Sequence, residues 1–167
     1  TADFRDPNRF LKDGREFLVL GAQTVEEKGR AVLYEKKASA WQLAGEIKTD
    51  LPDFGYMWEC PTFLPLAEGD VLLFSPQGLE AEEYRWQNLY QSGYIAGKFD
   101  ADSLEFQHGA FHELDQGFDF YAPQIVTHEG RHILIGWMGM PDREEDYPTR
   151  EEGWMHSLTL PRVLTLR

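Results

Sequence analysis

FRDPNRFLKDGREFLVLG (Phe4 to Gly21), WECPTFLPLAEGDVLLFS (Trp58 to Ser75) and FYAPQIVTHEGRHILIGW (Phe120 to Trp137) are three copies of one pattern: an aromatic residue, two residues, Pro, a short strand, a Gly turn and an apolar strand. Pro7 to Gly14 and Pro123 to Gly130 span 7 residues and Pro61 to Gly69 spans 8, while the prolines themselves recur after 54 and 62 residues. Each turn sets Gly beside an acidic residue (Lys12-Asp13-Gly14, Glu68-Gly69-Asp70, His128-Glu129-Gly130), the chemistry of a tight turn that needs positive φ. Repeats of roughly 40–60 residues, each holding several strands, are the signature of propeller blades. A fourth module is expected to start at LTLPRVL (Leu158 to Leu164), 38 residues after Pro123.

The rest of the chain fits an all-β fold. Its 23 aromatic residues (5 Trp, 7 Tyr, 11 Phe), 15 Gly and 9 Pro are spread along the length, and no linker or low-complexity tract divides it. Expected strands are Glu16 to Gln23, Arg30 to Glu35, Trp41 to Ile47, Asp70 to Ser75, Asn88 to Phe99 with a break at Gly93 or Gly97, His132 to Trp137 and Ser157 to Leu160. Leu79 to Tyr90 reads as a short amphipathic helix or an ordered loop, and acid-rich Asp142 to Glu152 as a surface loop.

Composition narrows the function. The 167 residues carry 29 acidic and 16 basic side chains, a net charge of −13, which repels phosphate backbones and anionic lipid. Nucleic acid and membranes are therefore not expected as partners. No apolar run reaches the roughly 18–20 residues of a membrane span, and Thr1 to Phe10 has neither a basic nor an apolar leader region. A single cysteine, Cys60, rules out an internal disulfide and a cysteine-rich metal site, and fits a reducing, cytoplasmic compartment. The histidine pairs His108/His112 and His128/His132 have i,i+4 spacing, but Gly109 and Gly130 interrupt them, so they read as ordinary surface histidines. No metal and no cofactor is expected.

If each hairpin starts at a propeller axis, the residues just ahead of the three prolines gather around one channel: Arg5-Asp6, Glu59-Cys60 and Tyr121-Ala122. Two carboxylates and a guanidinium at one end of a funnel suit acid-base chemistry on a polar substrate. The alternative is that Asp6 and Glu59 are two solvated loop carboxylates among many.

These residues carry a resemblance. Phe4-Arg5-Asp6-Pro7, Trp58-Glu59-Cys60-Pro61, Asp119-Phe120-Tyr121-Ala122-Pro123-Gln124, Gly136-Trp137 and Trp154 to Arg162 resemble, in order and over nearly the whole chain, the motifs of glycoside hydrolase family 32, the invertases and fructanases. Ser75-Pro76-Gln77-Gly78, Tyr90-Gln91-Ser92-Gly93-Tyr94 and Gly136 to Pro141 are most similar to its bacterial members that act on sucrose 6-phosphate.

The resemblance implies a retaining β-fructofuranosidase on a five-bladed β-propeller, with about three blades present. It further implies Glu59 as general acid/base, Asp6 as transition-state stabiliser through the fructosyl hydroxyls, Arg5 fixing the sugar, and Cys60, Asp119, Tyr121 and Trp137 lining the pocket. The partner is then a small sugar; the oligomeric state is open. The Asn-Asp-Pro-type motif that carries the family's nucleophile has no counterpart here, because Asp6-Pro7-Asn8 already belongs to the Arg-Asp-Pro motif. Residues 1–167 therefore read as the middle portion of the catalytic propeller, inactive in isolation. A fructosyltransferase would use the same residues, and a non-catalytic sugar-binding propeller would keep the aromatics without needing both acids.

Overall fold

A computed structural model describes residues 3–144 and 146–166. Thr1, Ala2, Glu145 and Arg167, which include both ends of the expected segment and one position of the 142–152 loop, lie outside them. The chain forms three antiparallel sheets in sequence order. The first is a meander of β1 (Asp3–Lys12), β2 (Arg15–Gln23), β3 (Gly29–Lys37) and β4 (Ala40–Glu46). In the second, β5 (Met57–Pro65), β6 (Asp70–Gln77) and β7 (Gly93–Phe99) are followed by a fourth strand in two pieces, β8 (Phe106–His108) and β9 (His112–Glu113), both paired to β7. The third pairs β10 (Tyr121–His128) with β11 (Arg131–Met138), and β11 with both β12 (Ser157–Leu158) and β13 (Arg162–Leu164). These are three blades of a β-propeller.

The repeat corresponds to the first hairpin of each blade, and each copy has the same irregularity. Between Arg5 and Asn8, Glu59 and Thr62, and Tyr121 and Gln124 the ladder register shifts, so that two residues oppose one on the neighbouring strand. The two are Asp6-Pro7, Cys60-Pro61 and Ala122-Pro123. The first of each pair is left-handed, with φ of 60° at Asp6, 48° at Cys60 and 47° at Ala122. Such a bulge takes Gly most readily; a residue with a Cβ costs roughly 1–2 kcal/mol there. Proline fits the second position because the ladder is already interrupted and its missing N–H leaves nothing unpaired. At the other end of the hairpins, Asp13-Gly14 and Glu129-Gly130 both have positive φ and close two-residue turns. The 66–69 loop is longer, which accounts for the 8-residue spacing in the second copy.

Burial explains why the strands are apolar without alternation. β6 lies between two blades: Leu72 and Phe74 face the large core shared with Phe10, Phe17, Val19 and Leu33 of the first blade, while Val71 and Leu73 face Phe120 and Leu134 of the third. A strand buried on both faces has no polar side to display. At the active end the first two blades approach closely, since a Cβ on Gly21 would lie 1.9 Å from the Trp58 carbonyl oxygen.

Charged ties clamp the same two blades. Lys12 Nζ donates to both Asp70 oxygens at 2.8 and 2.9 Å, and Asp70 also accepts the Phe99 N–H. Arg15 grips buried Glu35 through Nε and Nη2 and reaches Asp102 and the Ala101 carbonyl across the blade boundary. The Arg15 hydrogen bonds, followed by Lys37, hold the Glu35 carboxyl at about 2, below its ordinary 4.5. A depressed carboxyl stabilises the fold fully above its unfolded value and loses that contribution as pH falls toward the folded one. Glu35→Gln should therefore lower stability at neutral pH and flatten the fall in stability between about pH 4.5 and about pH 2, measured by urea denaturation across that window.

Three expectations are corrected. Leu158 to Leu164 does not open a fourth module: both of its strand pieces hydrogen-bond to β11 and make the third strand of the third blade. The strand expected from Asn88 begins at Gly93, because Asn88 is turned aside to hold the 117–119 loop through Gly117 O and Asp119 N–H. Of the two forms expected for Leu79 to Tyr90 the structure has the loop, and the 142–152 loop contains a short 3₁₀ turn, Pro148–Glu152. His108 is not a surface histidine, since its ring is 2% exposed and its Nε2 lies 2.8 Å from Asp50. No helix among the described residues is long and apolar enough to cross a membrane.

Candidate active site

The bulges place equivalent residues of successive blades side by side. Arg5, Glu59 and Tyr121 each precede a bulge, and they join in a row: Arg5 Nη1 donates to Glu59 Oε1 at 2.8 Å, and the Tyr121 hydroxyl donates to Glu59 Oε2 at 2.6 Å. The bulge residues themselves are linked too, because the Cys60 N–H donates to Asp6 Oδ2 at 2.8 Å. The sequence spacings of 54 and 62 residues are thus also the spacings of contacting side chains. Asp6 and Glu59 converge at one end of the innermost strands, with Glu59 in the middle blade flanked on both sides.

The electrostatics grade from the rim inward. Arg5 is half exposed and also pairs with Asp3, whereas the Glu59 side chain is only 13% exposed. Tyr121 is buried, and burial followed by its bond to Glu59 raises its ionisation well above the ordinary tyrosine value, so its hydroxyl is a proton-bearing donor at every working pH. Cys60 is pushed up to about 12 by burial first and then by the Asp6 carboxylate. Thiolate is the reactive species, so Cys60 in the folded chain should react with a disulfide reagent at pH 8 about a thousandfold more slowly than an unperturbed thiol, with normal reactivity on unfolding. Fast labelling of native protein would contradict this environment.

Two of the expected pocket residues sit one step back. Trp137 pairs with Tyr121 in the β10–β11 ladder and packs on the cluster of Tyr90, Tyr121 and Met140, with the His156 ring 5.1 Å from its own. Asp119, at positive φ, forms an ion pair with Arg143, and its N–H is received by Asn88.

Several contributors are absent from the motifs that single out Glu59. Gln77, at the end of β6, donates from Nε2 to Glu59 Oε2 at 3.2 Å. Behind Tyr121, the Tyr90 ring lies 5.8 Å away, and its hydroxyl receives Tyr56 and donates to Asp142 at 3.0 Å. Gln77 lies in the Ser75-Pro76-Gln77-Gly78 stretch that carries part of the resemblance, but that stretch gives it no role; only the pairing of β5 with β6 brings it to Glu59. No group of three or more His, Cys, Asp or Glu among the described residues is arranged to hold a metal ion.

Residues 1–167 match the glycosyl hydrolases family 32 N-terminal domain. The chain is 49% identical over 168 residues to the sucrose-6-phosphate hydrolase of Staphylococcus xylosus, covering 99% of this chain and 34% of that protein. It is 50% identical over 173 residues to the enzyme of the same name from Bacillus subtilis, covering 99% and 36%. Among solved structures, the sucrose-6-phosphate hydrolase of Lactobacillus gasseri superposes with a TM-score of 0.89 at 33% identity over 100% of this chain and 35% of that one. A β-fructofuranosidase of Bombyx mori in complex with sucrose gives 0.87 at 38% identity over 99% and 36%. The chain spans about a third of the length of the curated relatives it matches.

Proposed function

The chain belongs to glycosyl hydrolase family 32, and on that premise we propose that the protein hydrolyses β-fructofuranosides, sucrose or sucrose 6-phosphate, with retention of configuration. The observation that carries this reading is the single carboxyl held at the centre of the row, Glu59 between Arg5 and Tyr121. Glu59 is the general acid that protonates the leaving oxygen and then the base that activates water. When its proton has gone, the carboxylate left behind faces donors on both sides, Arg5 Nη1 on Oε1 and the Tyr121 hydroxyl on Oε2. Asp6, fixed by the Cys60 N–H, sets negative charge and two acceptor oxygens beside a sugar ring that becomes oxocarbenium-like. Arg5, Cys60 and Tyr121 form the wall around it, with Asp119 and Trp137 supporting it from behind.

A retaining reaction needs a second carboxylate about 5–5.5 Å from the acid. We assign that nucleophile to a part of the catalytic propeller outside residues 1–167, which act as its middle portion. A sugar-binding propeller without catalysis has no use for a carboxyl gripped from both sides, which favours the enzyme. The lone Cys60 is compatible with a cytoplasmic enzyme. Assay of the full chain, meaning residues 1–167 together with the part of the propeller that carries the nucleophile, on sucrose, sucrose 6-phosphate and a fructan tests the reading: release of fructose from at least one of the two sucroses is expected, and no release from any substrate overturns it.

A further inference from the structure

Glu59 has a hydrogen-bond problem on one side. Oε1 faces Arg5, which has donors only, so the proton that a general acid carries belongs on Oε2. Oε2 already faces two donors, the Tyr121 hydroxyl and the Gln77 amide. With Glu59 ionised this arrangement is satisfied. With Glu59 protonated in the free enzyme, before a leaving oxygen lies over it, two O–H groups and an N–H meet at one point, and one of the three partners must offer an acceptor. Arg5 cannot, and a tyrosine hydroxyl that accepts still needs a place for its own hydrogen. Gln77 is the one partner that carries a carbonyl oxygen on the same terminal group.

The backbone of Gln77 is held independently of this side chain. Its carbonyl accepts the Tyr56 N–H at 2.8 Å, it is the ladder partner of Met57, and an antiparallel bridge joins it to Tyr90. Only the side chain is free to turn.

We propose that Gln77 is a positioning residue whose amide turns over with the protonation of Glu59, presenting Nε2 to the carboxylate and Oε1 to the acid form. The inference rests on Glu59 being the general acid. It makes Gln77 the group that keeps both protonation states of Glu59 in the same rotamer until a leaving oxygen takes over the proton.

The test uses the full chain and the pH profile of kcat/KM on sucrose, whose alkaline limb marks loss of the acid's proton. The bond to the ionised partner is the stronger of the two states. Gln77→Met, which removes both, should therefore move the alkaline limb upward by about half a unit to one unit. Gln77→Glu, which replaces the donor by a second negative charge, should move it further upward. In the unsubstituted enzyme the side-chain amide resonances of Gln77 should shift with pH at the same midpoint as the limb, and this readout stands even if a variant fails to fold. Folded variants with the limb unmoved, or Gln77 resonances silent across it, overturn the proposal while leaving Glu59 in place. Wild-type turnover by Glu59→Gln in the same assay overturns the acid assignment itself and the proposal with it.

Discussion

Replacing Glu59 with Gln in the full chain should lower turnover of sucrose by roughly 10²–10⁴-fold, the contribution of a positioned proton donor. The substitution keeps the shape of the side chain and leaves its carbonyl oxygen for Arg5, so the contact between the first two blades survives. The loss then reports the missing proton. It should be much smaller on an aryl β-fructofuranoside whose leaving group needs no protonation, and that contrast separates acid catalysis from a collapsed site. Equal rates for the variant and the parent on sucrose would remove Glu59 from the mechanism.

Trp58→Ala should cost about 3–5 kcal/mol of stability, the range for emptying a buried aromatic site. The indole is 2% exposed, stacks on Phe74 with ring centroids 4.2 Å apart, and donates from Nε1 to the Phe54 carbonyl at 2.7 Å. Gly29 of the first blade lies flat against it, so close that a Cβ there would come within 2.2 Å of the ring. The hole left by alanine therefore opens at the junction of two blades, where neither sheet can collapse without dragging the other. Trp58→Phe should recover part of the loss. Urea denaturation of the full chain measures both, and a loss below about 1 kcal/mol for Trp58→Ala would show that the junction repacks. Because Trp58 precedes Glu59 on β5, the destabilised variant should also lose activity at temperatures where the parent is stable.

Much of the architecture is legible in the sequence because it is periodic. The Pro and Gly positions mark a bulge and a turn, both local backbone events that a short motif must encode, and their spacing carries over to side chains that touch across blades. What escapes is whatever depends on a partner chosen at long range. LTLPRVL has the look of a module start, yet it pairs backward with β11, and nothing within seven residues distinguishes a first strand from a third. Asn88 has strand-like neighbours but spends its amide on Gly117 and Asp119, contacts set by a loop some thirty residues away. Gln77 belongs to the same class: its identity is ordinary, and its importance comes from sitting across a ladder from a carboxyl. Arg5, Glu59 and Tyr121 were legible as neighbours for the opposite reason, since the repeat gives them equivalent places.

The left-handed kinks at Asp6, Cys60 and Ala122 act as a filter on which amino acids this rim can ever hold. At positive φ a β-branched side chain crowds its own backbone more than any other kind, so Val, Ile and Thr are strongly disfavoured whatever the substrate demands. Gly, Asn, Asp and small unbranched residues pass. The rim's chemical alphabet of carboxylate, amide, thiol and methyl is thus drawn up by ladder geometry, and adaptation to a new sugar must proceed within those letters or move to positions, such as Gln77, that stand on ordinary extended backbone.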